Sequence, residues 1–197
     1  MKQIEITVQV NNTLEEIDSI LKNQKFKLIR RSKVKDKYMT TNLKALTKEN
    51  ILTILSKCVL LRYLNVDNKN IFKKITYKNK QYKDNIVISE EKISINIDDL
   101  ENAEKLFSKL GFETIINVNY DVIVYEKNGL ELALQNVENL GLLLEYESPI
   151  DCSNFSDEKI LKEKEKMQEE IKKLNINIGN NYDIKKAYEL VLMEMNK

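Results

Sequence analysis

Apolar and polar residues alternate along several short stretches of the chain, which is the pattern of strands with one buried face. Residues 130–147 give the clearest example, because two such stretches flank a turn at 136–141 that contains Asn and Gly. In the second stretch Glu145 and Glu147 must share one face, with Tyr146 on the other. Neighbouring carboxylates repel each other unless water or a cation neutralises them. The pair therefore marks either a solvated face or a cation site.

The same alternation predicts further strands on both sides of the middle of the chain. Amphipathic segments between them predict helices that cover one side of a sheet. Seven or eight antiparallel strands interrupted by helices predict an α+β fold, an antiparallel β-barrel with a polar lumen and flanking helices. The predicted strands lie at 4–10, 60–64, 71–78, 90–97 and 115–125, in addition to those in 130–147, and residues 26–42 are predicted to form a strand or a hairpin.

Helix boundaries are marked by capping residues. Thr13 and Glu16 form a predicted capping box, and Thr47 is the predicted cap of a short helix that ends near residue 57. An amphipathic helix from residue 100 is predicted to end at Gly111, which suits the position just after a helix. Two more helices are predicted at 157–174 and 183–195. The charge run of the first of these is interpreted as a solvated face.

Composition excludes several classes of function. The 197 residues predict a single domain over 1–197, and a net charge of +1 gives no basic field for nucleic acid. The chain has no histidine, which excludes imidazole bases and His metal ligands. Cys58 and Cys152 fit no zinc or redox spacing. The N-terminus alternates polar and apolar residues, so we expect no signal peptide, no membrane partner and a cytoplasmic location.

Basic residues gather on one face of two consecutive predicted strands. Lys74 and Lys78 share a face of one strand, and Arg62 lies on the strand before it. Arginine offers a planar fork to phosphate and lysine a point charge, so such a face suits a phosphorylated anion. We therefore predict Arg62, Lys74 and Lys78 as phosphate-binding residues.

The order of these motifs resembles the CYTH family, the triphosphate tunnel proteins that include class IV adenylate cyclases, thiamine triphosphatases and inorganic triphosphatases. The resemblance covers nearly the whole chain and implies an eight-stranded tunnel open at both ends. It also implies that Glu5, Glu145 and Glu147 hold Mg²⁺ or Mn²⁺, weakly and with help from the substrate. In the family's N-terminal ExExK pattern, however, Thr7 and Gln9 replace the second acid and the lysine.

Other functional positions of the family are also changed, which predicts a lumen with fewer polar groups. The first hypothesis is a divergent protein that binds a triphosphate, a nucleotide or another small phosphorylated anion with weak or no catalysis. The alternative is an active, metal-dependent adenylate cyclase or triphosphatase, for which the sequence assigns no catalytic residue. The third hypothesis is a structural or interaction protein whose tunnel is filled by its own side chains. The changed positions are Thr7, Gln9, Leu64, Ser94, Asn96, Tyr120, Val122 and Gln135.

Overall fold

Strands account for most of the regular structure in the computed structural model, which describes residues 2–83 and 86–197. Five α-helices and one short 3-10 helix (Leu43–Ala45) connect or cover the strands of this described part. The strands are β1 (Lys2–Gln3), β2 (Glu5–Gln9), β3 (Lys27–Thr40), β4 (Val59–Val66), β5 (Asn70–Lys83), β6 (Ile86–Asn96), β7 (Glu113–Lys127), β8 (Leu130–Val137) and β9 (Gly141–Glu147). The helices are α1 (Leu14–Asn23), α2 (Ile51–Leu55), α3 (Leu100–Lys109), α4 (Asp157–Lys172) and α5 (Lys186–Met195).

The strands form one antiparallel sheet that curls on itself. Its order is β1-β6-β5-β4-β3-β7-β8-β9-β2, so β1 and β2 lie at opposite edges. Only Ile4 separates these two strands in the chain, so one N-terminal segment pairs with both edges and draws them together. The predicted antiparallel barrel is confirmed. The interruption at Ile4 is the reason that nine strands are counted where eight were expected.

Helices α1 and α4 cover the outer face of the barrel beside its N-terminal strand. Ile6 of β2, Leu132 of β8 and Leu144 of β9 pack there against Ile17 of α1 and Met167 of α4. All five side chains are at most 1% exposed. Because strand side chains alternate, burial of this face forces the neighbouring residues of β2 and β9 into the barrel interior.

Helices α2 and α5 pack against the inner face of the barrel and fill part of its interior. Leu55 and Val191, from α2 and α5, belong to one buried apolar cluster with the lumen-facing residues Tyr38, Leu60 and Leu143. The tunnel is therefore narrower than the family resemblance implies. Its remaining space lies on the side of Glu5, Lys78 and Glu147.

Two helix starts differ from the sequence-based expectation. Helix α2 begins after Asn50, and Thr47 instead donates its backbone N–H to the Asn50 side chain. Helix α5 begins at Lys186 because Asp183 forms a parallel bridge with Thr7, which holds this segment extended. In the described ranges, the helices are all too short or too polar to cross a membrane.

The capping box of α1 gives a first testable prediction. Thr13 accepts a hydrogen bond from the backbone of Glu16, whose side chain accepts one from the backbone of Thr13. We expect Thr13→Ala to lower the free energy of unfolding by about 1 kcal/mol, because it leaves a helix N–H without a partner. Urea denaturation measures the change. A control substitution at the exposed Glu15, Glu15→Gln, should change it by less than about 0.5 kcal/mol.

Candidate anion-binding cavity

The polar part of the barrel interior forms a cavity of about 230 Å³. Its walls come from strands β2, β3, β4, β5, β6, β7 and β9, from helix α2 and from the start of α5. Strand parity places the functional side chains there, since the other face of β2 and β9 packs against α1 and α4. All six residues predicted from the sequence as phosphate or metal ligands line this one cavity: Glu5, Arg62, Lys74, Lys78, Glu145 and Glu147.

Basic side chains outnumber acidic ones in the cavity wall. Seven basic residues and three glutamates line it, and the buried carboxylates of Asp36 and Glu90 pair with some of these basic groups. The sequence analysis missed four of the basic residues. They are Lys80, Lys92, Lys185 and Lys186.

Arg62 is held in place by a buried carboxylate. Its Nε and Nη2 donate to the two oxygens of Asp36 at 2.7 and 2.6 Å, and the hydroxyl of Tyr120 lies 3.1 Å from both Nη2 and Asp36 Oδ2. The Asp36 side chain is 1% exposed, against 30% for Arg62. Three of the five N–H donors of the guanidinium are thereby used. Its Nη1, with no partner in the described part of the chain, remains for a ligand.

Lys74 and Lys78 extend the basic wall from Arg62 along β5. Lys74 is the cross-strand neighbour of Arg62, and its ammonium pairs with no side chain that the structure describes. Lys78 lies on the same face, 3.4 Å from Glu90 Oε1. A cation that faces a cavity without a partner is available to an anion from solution, which makes Lys74 the most accessible donor of the three.

Glu5 and Glu147 are direct cross-strand neighbours on β2 and β9, and both face the cavity. Like charges in such a pair destabilise a sheet unless a cation lies between them. Lys92 provides it, with Nζ at 3.8 Å from Glu5 Oε2 and 3.8 Å from Glu147 Oε1. The Nζ of Lys80 is a second cation near Glu5, at 3.5 Å from its Oε1.

Glu90 is a third carboxylate in this cluster and is almost completely buried, at 2% exposure. Neither of its oxygens accepts a well-aligned hydrogen bond from the described residues. Ion pairs stabilise it instead, at 3.4 Å from Lys78, 3.6 Å from Lys80 and 3.0 Å from Lys92. Buried charges are stable only with such partners.

The pKa shifts follow from this arrangement. Burial raises the pKa of Glu5, but Lys80 and Lys92 outweigh it and hold the pKa well below its usual range. Burial also raises the pKa of Glu147, which Lys92 offsets only in part. For Lys92, burial lowers the pKa, but Glu5 and the other carboxylates outweigh it and the pKa is raised. Lys92 is therefore an ammonium ion at neutral pH.

On the same face of β9 as Glu147, Glu145 is paired with a residue of α5. Lys186 Nζ lies 3.1 Å from Glu145 Oε2, also donates to the side chain of Gln135, and lies 4.8 Å from the ring centroid of Tyr120. Lys186 thus adds a basic group to the cavity beside Tyr120 and Gln135. The first turn of α5 contributes a cation to the cavity that no strand pattern predicts.

The predicted metal ligands share the cavity, but each is already paired with a lysine. Lys80 and Lys92 contact Glu5, Lys92 contacts Glu147, and Lys186 contacts Glu145. Within residues 2–83 and 86–197, no three acidic or thiol side chains are arranged to hold a metal ion. The residues as they stand do not fit a divalent ion held by the protein alone, and the assignment of Glu5, Glu145 and Glu147 stays a prediction.

Six of the eight changed family positions fall into two groups. Thr7, Ser94 and Tyr120 line the cavity, and Gln135 contacts Lys186 beside it. Leu64 and Val122 instead pack against the apolar cluster that α2 and α5 complete. Leu64 and Val122, the two changed positions with aliphatic side chains, therefore lie in the part of the barrel interior that α2 and α5 fill.

Comparison with known sequences finds a relative that matches part of the chain. No family model matches the chain. A candidate adenylate cyclase of Methanocaldococcus jannaschii, MJ0240, is 37% identical over 114 residues. The match covers 58% of this chain and 61% of that protein, so the chain spans less than two thirds of its relative.

Solved structures share the fold over nearly the full length. The protein PH1819 of Pyrococcus horikoshii has a TM-score of 0.73 and 18% identity, with 99% of each chain covered. HpAC1 of Hippeastrum, an adenylyl cyclase candidate described as having a dominant triphosphatase activity, has a TM-score of 0.62 and 13% identity. That match covers 98% of this chain and 96% of HpAC1. At these identities the similarity establishes the fold alone.

Proposed function

We propose that the chain is a CYTH-like protein with the triphosphate-tunnel fold and that its cavity binds a small phosphorylated anion with weak or no turnover. The observation that carries the proposal is the convergence of seven basic side chains on one cavity. They come from β4, β5, β6 and the segment that begins α5. Lys74 in particular has no partner in the part of the chain that the structure describes.

Charge and volume favour a compact, highly charged ligand. A triphosphate carries about four negative charges, and several charge-assisted contacts of about 1.5–3 kcal/mol each are needed to offset its desolvation. Arg62 offers Nη1, while Lys74 and Lys78 offer ammonium groups. The cavity of about 230 Å³ is smaller than the roughly 300–1,000 Å³ of drug-sized sites. It suits a phosphate chain, with any attached nucleoside lying at the mouth.

The carboxylates support binding more than catalysis. Phosphoryl transfer depends on positioning and on neutralising charge in the transition state, for which this family uses divalent metal ions. Here Thr7 stands where the family pattern has its second acid. The glutamates Glu5, Glu145 and Glu147 are each paired with a lysine. The chain's own residues can bind and orient a polyphosphate, but among the described residues that line the cavity no carboxylate is left unpaired to activate a nucleophile.

A thermal shift tests the proposed function. We expect inorganic tripolyphosphate at about 100 times its Kd to stabilise the native protein by about 2.7 kcal/mol, because it binds only the folded state. For a chain of this length the melting temperature should rise by roughly 5–11 °C. Differential scanning calorimetry measures the rise, and sodium sulfate at matched ionic strength is the control. A protein whose Tm responds equally to both salts would contradict the proposal.

A second candidate function is an active, metal-dependent adenylate cyclase or triphosphatase. Its support is the presence of Glu5, Glu145 and Glu147 in the same cavity as the basic residues. In that case these glutamates would hold Mg²⁺ or Mn²⁺ together with the substrate, in place of their lysine partners, and the ion would supply Lewis acidity. Release of phosphate or pyrophosphate from ATP, thiamine triphosphate or tripolyphosphate at about 1 s⁻¹ or faster would favour it over binding alone.

A further inference from the structure

Lys92 lies among three carboxylates of the cavity. Its Nζ is 3.0 Å from Glu90 Oε2, 3.8 Å from Glu5 Oε2 and 3.8 Å from Glu147 Oε1. These groups come from three different strands, β6, β2 and β9. Two of them, Glu5 and Glu147, are residues that the family resemblance implies as metal ligands. The ammonium group therefore lies where a cation bound by these carboxylates would be expected.

The surrounding strands explain why a cation is needed at this point. Glu5 and Glu147 face each other directly across β2 and β9, and Glu90 is buried beside them. Three carboxylates within reach of one point would repel each other strongly at low dielectric. Strand β6 approaches them because β1 pairs with it just before the chain continues into β2. Lys92 extends from β6 into this position.

A divalent ion cannot share the position with Lys92. An ion bound by the same carboxylates would lie close to the ammonium group, and two cations at such a distance repel. We propose that the ammonium group of Lys92 replaces the divalent metal ion in this cavity, so that phosphorylated anions bind without metal. This inference rests on the proposed function, since it concerns the same cavity.

The replacement has a chemical consequence. An ammonium ion neutralises carboxylates and donates hydrogen bonds to phosphate oxygens, as a metal neutralises charge. It has no coordination sites to polarise a phosphoryl oxygen or to lower the pKa of a bound water, which are what a metal contributes to catalysis. Binding is retained while this contribution to turnover is lost.

The first experiment compares tripolyphosphate binding by calorimetry in excess EDTA and in Mg²⁺. We expect the two Kd values to agree within about threefold. Loss of binding in EDTA, with binding retained in Mg²⁺, would overturn the role of Lys92 and leave the proposed function standing. Absence of binding under both conditions would overturn the proposed function, and the second experiment then decides on Lys92 without any phosphate ligand.

The second experiment measures Mn²⁺ binding by electron paramagnetic resonance. We expect the wild type to bind Mn²⁺ at least about tenfold more weakly than Lys92→Gln, which removes the lysine that contacts all three carboxylates. Lys92→Arg retains the charge and should behave like the wild type. Lys105→Gln removes a lysine paired with Glu101 on the outside of α3 and is the matched control.

Two outcomes of the Mn²⁺ measurement would overturn the proposal. One is tight Mn²⁺ binding by the wild type, because Lys92 would then not occupy the ion's position. The other is a folded Lys92→Gln variant, verified by circular dichroism, whose Mn²⁺ affinity equals that of the wild type. If Lys92→Gln fails to fold, the wild-type Mn²⁺ titration and the comparison in EDTA still decide the question.

Discussion

Replacement of Arg62 by alanine is expected to destabilise the protein by about 3–5 kcal/mol, because it leaves a buried carboxylate without its partner. Asp36 is 1% exposed at its side chain and accepts two hydrogen bonds from Arg62, at 2.7 and 2.6 Å. Among the described side chains, the Tyr120 hydroxyl would be the one hydrogen-bond donor left to the Asp36 carboxylate. The melting temperature should fall by roughly 6–20 °C. Urea denaturation with a matched thermal melt measures the loss.

Two controls separate this effect from the loss of an arginine as such. The double variant Arg62→Met/Asp36→Leu removes both charges and should recover most of the stability, since a buried ion pair adds little over apolar groups of similar size. Lys105→Ala removes an exposed partner of Glu101 and should change stability by at most about 0.5 kcal/mol. A loss below about 1 kcal/mol for Arg62→Ala would show that Asp36 is stable without its ion pair.

The Arg62 result also limits how the cavity can be probed. A residue that both holds a buried acid and faces a ligand changes stability and binding together. Weaker anion binding by Arg62→Ala would not distinguish a lost contact from a deformed wall. Lysines of β5 are better probes, because Lys74 supports no buried carboxylate among the described residues and Lys78 shares Glu90 with two other lysines.

Strand periodicity predicted the cavity wall where it is regular. Because side chains alternate, Glu145 and Glu147 could be assigned to one face from the sequence alone, and Tyr146 to the other. The same rule predicts that Lys80 and Lys92 face the cavity, although the sequence analysis did not assign them to the site. Lys80 has the parity of Lys78 on a strand that extends further than predicted, to Lys83.

The rest of the site depends on contacts that no local pattern encodes. Lys186 reaches the cavity because Asp183 pairs with Thr7 and places the start of α5 over the barrel. The bond between Arg62 and Asp36 requires the register of β3 against β4, which aligns residues 26 positions apart. From the changed family positions, the sequence analysis predicted a lumen with fewer polar and charged groups. It could not predict that lysines elsewhere in the chain, such as Lys186, contribute ammonium groups to this cavity.

We expect the double variant Lys74→Gln/Lys78→Gln to bind tripolyphosphate at least about a hundredfold more weakly than the wild type. Each lysine offers a charge-assisted contact of about 1.5–3 kcal/mol, so the loss of two is about 3–6 kcal/mol. Stability should change less, because Glu90 keeps Lys80 and Lys92 as ion-pair partners. Isothermal titration calorimetry at fixed ionic strength measures the affinity.

The matched control removes the same charge from the outside of the barrel. Lys73 precedes Lys74 on β5 and donates to the backbone carbonyl of Asp98, and Lys105 lies on the exposed side of α3. Lys73→Gln/Lys105→Gln should therefore bind tripolyphosphate within about threefold of the wild type at about 0.15 M salt, where distant surface charges are screened. Equal losses in the two double variants would mean that overall charge, and not the cavity, determines binding. A loss confined to Lys74→Gln/Lys78→Gln assigns the anion to the barrel interior, because Lys74 and Lys78 face it and the two control lysines do not.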